Sequence, residues 1–243
     1  MPDAFIEARN LTLGYGAANV VANLDVEVRR GEVVALLGAN GAGKSTTLLG
    51  LAGVLRARAG EVRINGARSR APLHRRARAG LGFVTETRAV FMNMSTVDNI
   101  RVAGVAPASV FALFPELESR ARVKAGMLSG GEQQMLVLAR ALCRAPSVLM
   151  LDEISLGLAP MVVDRLFASV RDAADSGVGV LLVEQQTSRA LSIADRAYVM
   201  RRGSIVLSGT ASELSSRAVD IEAAYLGGVD LGSPASRTAA DIP

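Results

Sequence analysis

Gly38-Ala39-Asn40-Gly41-Ala42-Gly43-Lys44-Ser45 places a glycine, four residues, a second glycine, a lysine and a serine in succession. That spacing suits polyphosphate. Glycines remove the side chains that would keep an anion away from backbone N–H groups, and a helix starting behind them aims its positive end at the same point. Lys44 adds a point charge for the β- and γ-phosphates, and Ser45 an oxygen for Mg²⁺. Thr46, next along the chain, is grouped with them as nucleotide-binding.

Val148-Leu149-Met150-Leu151-Asp152-Glu153 is an apolar run closed by two acids. Carboxylates at the C-terminal edge of a buried strand face the crevice where α/β proteins bind ligands. Alone, such a pair could be a solvated strand end. Beside a phosphate loop, Asp152 is expected to hold Mg²⁺, directly or through water, and Glu153 to orient or deprotonate an attacking water. Leu128-Ser129-Gly130-Gly131-Glu132-Gln133-Gln134 offers a second glycine-bearing helix start. One nucleotide needs one cradle, so Ser129, Gly130 and Gly131 are expected to serve a nucleotide held by another copy or a paralogue. That arrangement is a head-to-tail pair with ATP at the interface.

The elements that must position these residues alternate between strands and helices, which argues for an α/β parallel sheet with crossover helices. Val33–Leu37 reads as a strand, the glycine-rich loop follows, and a helix runs from Lys44 to about Ala52. Further buried strands are expected at Ser147–Leu151 and Val178–Val183, behind helices at Gln134–Arg144 and Met161–Ala174. Glu61–Ile64 runs into Asn65-Gly66, a hairpin signal, and Arg201–Ser204 holds another tight turn, so an antiparallel flank is expected beside the parallel core. From about Ala89 the text changes character, with Pro107, Pro115 and short helical patches such as Val110–Leu113, and a helical insertion is expected over about 89–140. After Gly228 apolar residues thin out, so one domain over 1–228 and a disordered tail over 229–243 are expected.

Composition narrows the chemistry. With Cys143 the one cysteine and His74 the one histidine among 243 residues, an intramolecular disulfide and a zinc cluster are excluded, and no Ser-His-Asp or Cys-His machine is expected. No apolar run approaches the roughly 18 residues of a membrane helix. The first ten residues lack the pattern of a secretory signal, so a cytoplasmic address is expected. The net charge of +4 is carried by scattered residues. The clusters Arg68–Arg78 and Arg201-Arg202 lack interleaved aromatics, so nucleic acid is not expected, and these faces meet solvent, acidic headgroups or a partner.

The phosphate loop, the LSGGEQQ segment and the VLMLDE strand, in this order, resemble the nucleotide-binding subunit of an ABC transporter. The likeness runs from about Phe5 to Gly228, over a P-loop NTPase core with a β flank and a helical subdomain. Ser155-Leu156-Gly157-Leu158-Ala159-Pro160, Leu182-Val183-Glu184-Gln185-Gln186 and Ala224-Tyr225-Leu226-Gly227-Gly228 resemble, more narrowly, the second ATPase subunit of branched-chain amino-acid importers.

The resemblance implies an ATPase using ATP and Mg²⁺. It implies pairing with a second ABC ATPase subunit, as a heterodimer or a homodimer. The pair would sit on the inner face of the cell membrane, under permease subunits served by an extracellular binding protein. It places Tyr15 like the aromatic that stacks on adenine, and Ser155–Leu158 like the loop that crosses the dimer. Glu86 falls where most of the family has a glutamine that contacts Mg²⁺, and Gln185, read as catalytic with Lys44 and Glu153, where most has a histidine reaching the γ-phosphate. Ile154 replaces the usual proline, and Ala103–Leu113 is short for the family. A glutamine can donate to a phosphate but cannot become cationic, so the ATP site on this chain's own loop is expected to be the less standard of two. Urea, another amide and an exported lipid stand as alternative cargoes, and a nucleotide-gated subunit with little turnover as an alternative role.

Overall fold

The structure, a computed structural model, describes residues 4–226. The chain opens with long strands β1 (Ala4–Tyr15) and β2 (Ala18–Arg29), after which β3 (Val33–Leu37) leads into α1 (Lys44–Ala52). A hairpin of β4 (Ala59–Ile64) and β5 (Ala67–Arg68) follows, then α2 (Leu73–Arg78) and β6 (Leu81–Val84). Helices α3 (Thr96–Val102) and α4 (Pro107–Leu113) and two 3₁₀ turns precede α5 (Gly130–Leu142) and β7 (Val148–Asp152). Next come α6 (Pro160–Asp175), β8 (Gly179–Glu184), α7 (Thr187–Ile193), the hairpin β9 (Arg196–Arg201) and β10 (Ser204–Thr210), α8 (Ala211–Ser215) and α9 (Ala218–Leu226).

Six strands form the central sheet in the order β10-β9-β3-β8-β7-β6, parallel except where β10 pairs with β9. β3, β7 and β8 are buried at every position, which is why they read as unbroken apolar runs. Successive side chains of a strand face opposite ways, and β3 uses both faces. Val33, Ala35 and Leu37 pack with the helices of one cluster, which includes Leu136, Leu166 and Phe114. Val34 and Leu36 pack under the antiparallel sheet β2-β1-β4-β5 with Leu13, Leu24 and Leu48.

The parallel core and antiparallel flank are as expected, with informative shifts at the edges. At the β4–β5 turn Asn65 and Gly66 both have positive φ, 49° and 76°, the backbone that a two-residue type I′ hairpin needs. β7 and β8 each lie one residue later than the apolar runs suggest, so that Asp152 and Glu184 are the last residues of buried strands. α5 starts at Gly130, four residues before the apolar periodicity begins. The cause is a capping box: Glu132 N–H donates to Ser129 Oγ at 3.2 Å, and Ser129 N–H donates to Glu132 Oε2 at 2.7 Å. Satisfying those helix-end donors offsets the poor helix propensity of two glycines. The tail expected beyond Gly228, and Gly227-Gly228 themselves, lie outside the described residues.

Candidate functional site

The C-terminal ends of β3, β7 and β8 lie side by side, with Leu37 paired to Glu184 and Asp152 to Val183. Each strand delivers a chemical group to one cleft of about 400 Å³. From the loop after β3, Asn40, Gly41, Gly43, Lys44, Ser45 and Thr46 line it; Glu86, Glu153 and Gln185 line it from the other strands' exits.

The loop is held tightly because little room surrounds it. A Cβ on Gly38 would stand 2.4 Å from the Met200 carbonyl oxygen of β9, so only glycine permits this approach. Gly43 has φ of 107° where the loop turns into α1. Lys44 is nearly inaccessible, and its ammonium donates to the Gly38 and Ala39 carbonyl oxygens at 2.8 and 3.2 Å. It also lies 3.5 Å from Glu153 Oε1. The cation is therefore held over the loop by the loop's own carbonyls.

Ser45 Oγ donates to Asp152 Oδ1 at 3.2 Å, joining α1 to the end of β7. Burial pushes the Asp152 carboxyl above the usual range. The Ser45 hydrogen bond opposes that, neighbouring Glu153 and Glu86 reinforce it, and Lys44 draws it down. Hydroxyl and carboxylate are the hard oxygen donors that Mg²⁺ takes. Among the described residues no group of three or more His, Cys, Asp or Glu could hold a metal by itself. Ser45 and Asp152 offer two such oxygens, and Mg²⁺ bound at nucleotides characteristically takes further ligands from phosphate and water.

Glu153 follows β7 with φ of 49°, a left-handed conformation costly for a side chain of its size. Its N–H donates to the Val183 carbonyl at 2.9 Å, which holds the turn against β8. Gln185 Nε2 donates to Glu153 Oε2. The last residue of β8, Glu184, reaches the loop beyond Glu153: Ser155 N–H donates to its Oε1 at 3.1 Å and Ser155 Oγ to its Oε2 at 2.7 Å. At 2% exposure, burial pushes the Glu184 carboxyl up, while the Ser155 hydrogen bonds oppose the shift.

The remaining expected residues lie elsewhere. Ala39 and Ala42 line a small adjoining cavity with Arg202 and Tyr225. Tyr15 ends β1 half exposed and does not line the cleft, whereas Val20 of β2 does. Ser129, Gly130 and Gly131 start α5 outside the cleft, with the Arg88 guanidinium beside Gly130. Sequence reasoning missed two contributors. Glu184 lies inside the Leu182–Gln186 segment, where nothing local assigns it a role. Tyr225 of α9 has its hydroxyl 3.0 Å from Thr187 Oγ1, a link between segments 38 positions apart whose partner the sequence does not name.

The ABC transporter family model matches residues 21–155. The high-affinity branched-chain amino acid transport ATP-binding protein BraG of Pseudomonas aeruginosa is 41% identical over 224 residues, 88% of this chain and 96% of that protein. The probable branched-chain amino acid transport ATP-binding protein LivF of Archaeoglobus fulgidus is 35% identical over 215 residues, 84% of this chain and 91% of that protein. A solved ATP binding subunit of an ABC transporter superposes with a TM-score of 0.76 at 28% identity, covering 92% of this chain and 96% of the other.

Proposed function

The chain belongs to the ABC transporter family of ATP-binding proteins, and from that premise we propose that it is the ATPase subunit energising import of branched-chain amino acids. The observation that carries the reading is the meeting of the phosphate loop with Glu153 and Gln185 at one cleft, with Asp152 bonded to Ser45 of that loop. The 41% identity to BraG, over nearly the whole of both chains, supports the cargo.

In this reading Lys44 is poised on loop carbonyls and on Glu153 until a γ-phosphate competes for it. Its transfer to the phosphate frees Glu153 to accept a proton from the attacking water, with Gln185 holding the carboxylate and offering an amide donor toward the phosphate. Ser45 and Asp152 would hold Mg²⁺, which would supply positive charge against that developing on the phosphates. Glu86 adds a second carboxylate on that side of the cleft. Ser129, Gly130 and Gly131 close on the nucleotide of a partner subunit, and Tyr15 approaches adenine.

The family's ATPases act in pairs alongside permease subunits. Among the described residues no helix is long and apolar enough to cross a membrane. We place the chain on the cytoplasmic face of the cell membrane, in a heterodimer with a second ABC ATPase, linked to an extracellular binding protein only through the permeases. Gln185 and Glu86 make this chain's own ATP site the less standard of the two.

The test is uptake of labelled leucine, isoleucine and valine by cells lacking the gene, complemented with the native chain or with Glu153→Gln. Uptake restored by the native chain alone supports both cargo and catalytic assignment. Uptake that never depends on the gene removes the cargo and leaves the ATPase.

A further inference from the structure

Between residues 56 and 78 the chain carries eight arginines and one acid, Glu61. The ATP cleft uses none of them. The fold gathers five, Arg56, Arg58, Arg68, Arg70 and Arg76, around a separate cavity of about 420 Å³ between the end of α1 and the β4–β5 hairpin, with Glu61 the one carboxylate in its wall.

The charges in this wall are poorly compensated. Glu61 is occupied by Arg63 at 2.9 Å and Arg68 at 3.2 Å. Arg58 is tied to the β1–β2 turn through Gly16 O and Asn19 Oδ1. Arg56 and Arg70 are exposed and make no hydrogen bond or ion pair among the described residues. Arg76 is the telling member, because it is 4% exposed and meets no carboxylate. Its guanidinium donates to carbonyl oxygens alone: Ala71 at 2.8 Å, Ser69 at 3.1 Å, Gly50 at 3.4 Å, and Leu51. Two of these carbonyls end α1, so the negative end of the helix dipole softens the cost without cancelling a unit charge. Buried charges are ordinarily paired. A buried cation at the wall of a cavity that also presents two free guanidinium groups is a site short of an anion.

We propose that this cavity binds a phosphate-ester anion, either a lipid phosphate headgroup or a soluble polyphosphate. Phosphate matches the chemistry because guanidinium forks engage its oxygens two at a time and desolvate more readily than ammonium. Arg56 and Arg70 make the direct contacts, Arg68 exchanges its bond to Glu61 for one to the anion, and Arg76 supplies fixed positive potential from below.

Two arms separate the sources. The full-length native chain and Arg56→Ser/Arg70→Ser are floated with vesicles of phosphatidylglycerol and phosphatidylcholine, and of phosphatidylcholine alone, at about 0.15 M salt. In parallel, tripolyphosphate is titrated without metal into a Lys44→Ala background, which disables the loop site, with and without the same pair. An Arg101→Ser/Arg217→Ser chain removes equal charge elsewhere, and retained ATP binding in both paired variants of the otherwise native chain verifies their folding. Loss of affinity by about tenfold or more for the cavity pair, absent in the control pair, supports the proposal; the arm that shows it names the source. Equal losses in both pairs, or no loss in either arm, overturns it. Neither result bears on ATP turnover, so failure here leaves the transport reading intact.

Discussion

Gln185 and Glu153 are joined across the exits of two neighbouring parallel strands, the amide of Gln185 donating to one carboxylate oxygen while the other lies 3.5 Å from the Lys44 ammonium. The candidate general base is thus held by a neutral donor on one side and a cation on the other. Its aim depends on both.

Replacing Glu153 with glutamine keeps the shape and removes the charge. Turnover is expected to fall by about 10²–10⁴-fold. ATP is expected to bind at least as tightly, because Lys44 loses its carboxylate neighbour and is freer to meet a phosphate. Single-turnover hydrolysis and equilibrium binding check the two halves; substantial residual hydrolysis would take the base role from Glu153.

Gln185→His introduces a titratable donor where the native chain has none. The native rate is expected to be flat with pH near neutrality as far as this residue is concerned, whereas the variant gains a dependence centred near the ordinary histidine range of about 6.5, raised by neighbouring Glu153. The check is kcat against pH for both chains in the assembled complex. Superimposable profiles would show that Gln185 does not face the reacting phosphate.

Gly38→Ala drives a methyl group to 2.4 Å from the Met200 carbonyl. Backbone must move, since no flexible side chain is there to yield, and overpacking of this kind costs about 1–3 kcal/mol. Lower thermal stability and weakened ATP binding are expected together. A variant that melts and binds like the native chain would mean the loop tolerates a shift away from β9.

Glu184 offers a test through pH. Its carboxyl is raised in the folded chain, chiefly by burial, so the folded state holds that proton more tightly than the unfolded state does. Stability from this residue is greatest at low pH and is lost as pH rises through the raised value. Glu184→Gln cannot titrate. The melting temperature of the variant relative to the native chain is therefore expected to climb from about pH 5 to about pH 8. A difference that stays constant across the range contradicts a buried, ionising Glu184.

Which parts of the molecule could be read in advance follows from the range of the interactions. Val33–Leu37 and Lys44–Ala52 match the expected strand and helix because glycines bracket the strand and the loop opens the helix, all within one short stretch. The start of α5 was obscured because Gly130 and Gly131 look like loop, and a reciprocal pair of hydrogen bonds at Ser129 and Glu132 overrides them. Asp152 and Glu153 were legible as a strand end beside a phosphate loop. The grip of Glu184 on Ser155 spans 29 positions, and the four carbonyls around Arg76 come from α1 and the segment before α2. Such partnerships exist only after the chain has folded, so no spacing in the text announces them.

The place of β3 in the middle of the central sheet has a consequence for synthesis. Its neighbours β8 and β9 are encoded 147 and 162 positions further on, with Val33 pairing to Val180 and Val34 to Arg196. At about 5–20 residues per second, a ribosome holds the phosphate loop's strand unpaired on both edges for roughly 7–30 seconds. Throughout that interval the nascent chain displays a bare apolar ribbon and lacks the β9 carbonyl against which Gly38 is seated. Competence to hold nucleotide therefore arrives only once β8 and β9 have been made, and until then this strand is a natural client for the cell's holding chaperones.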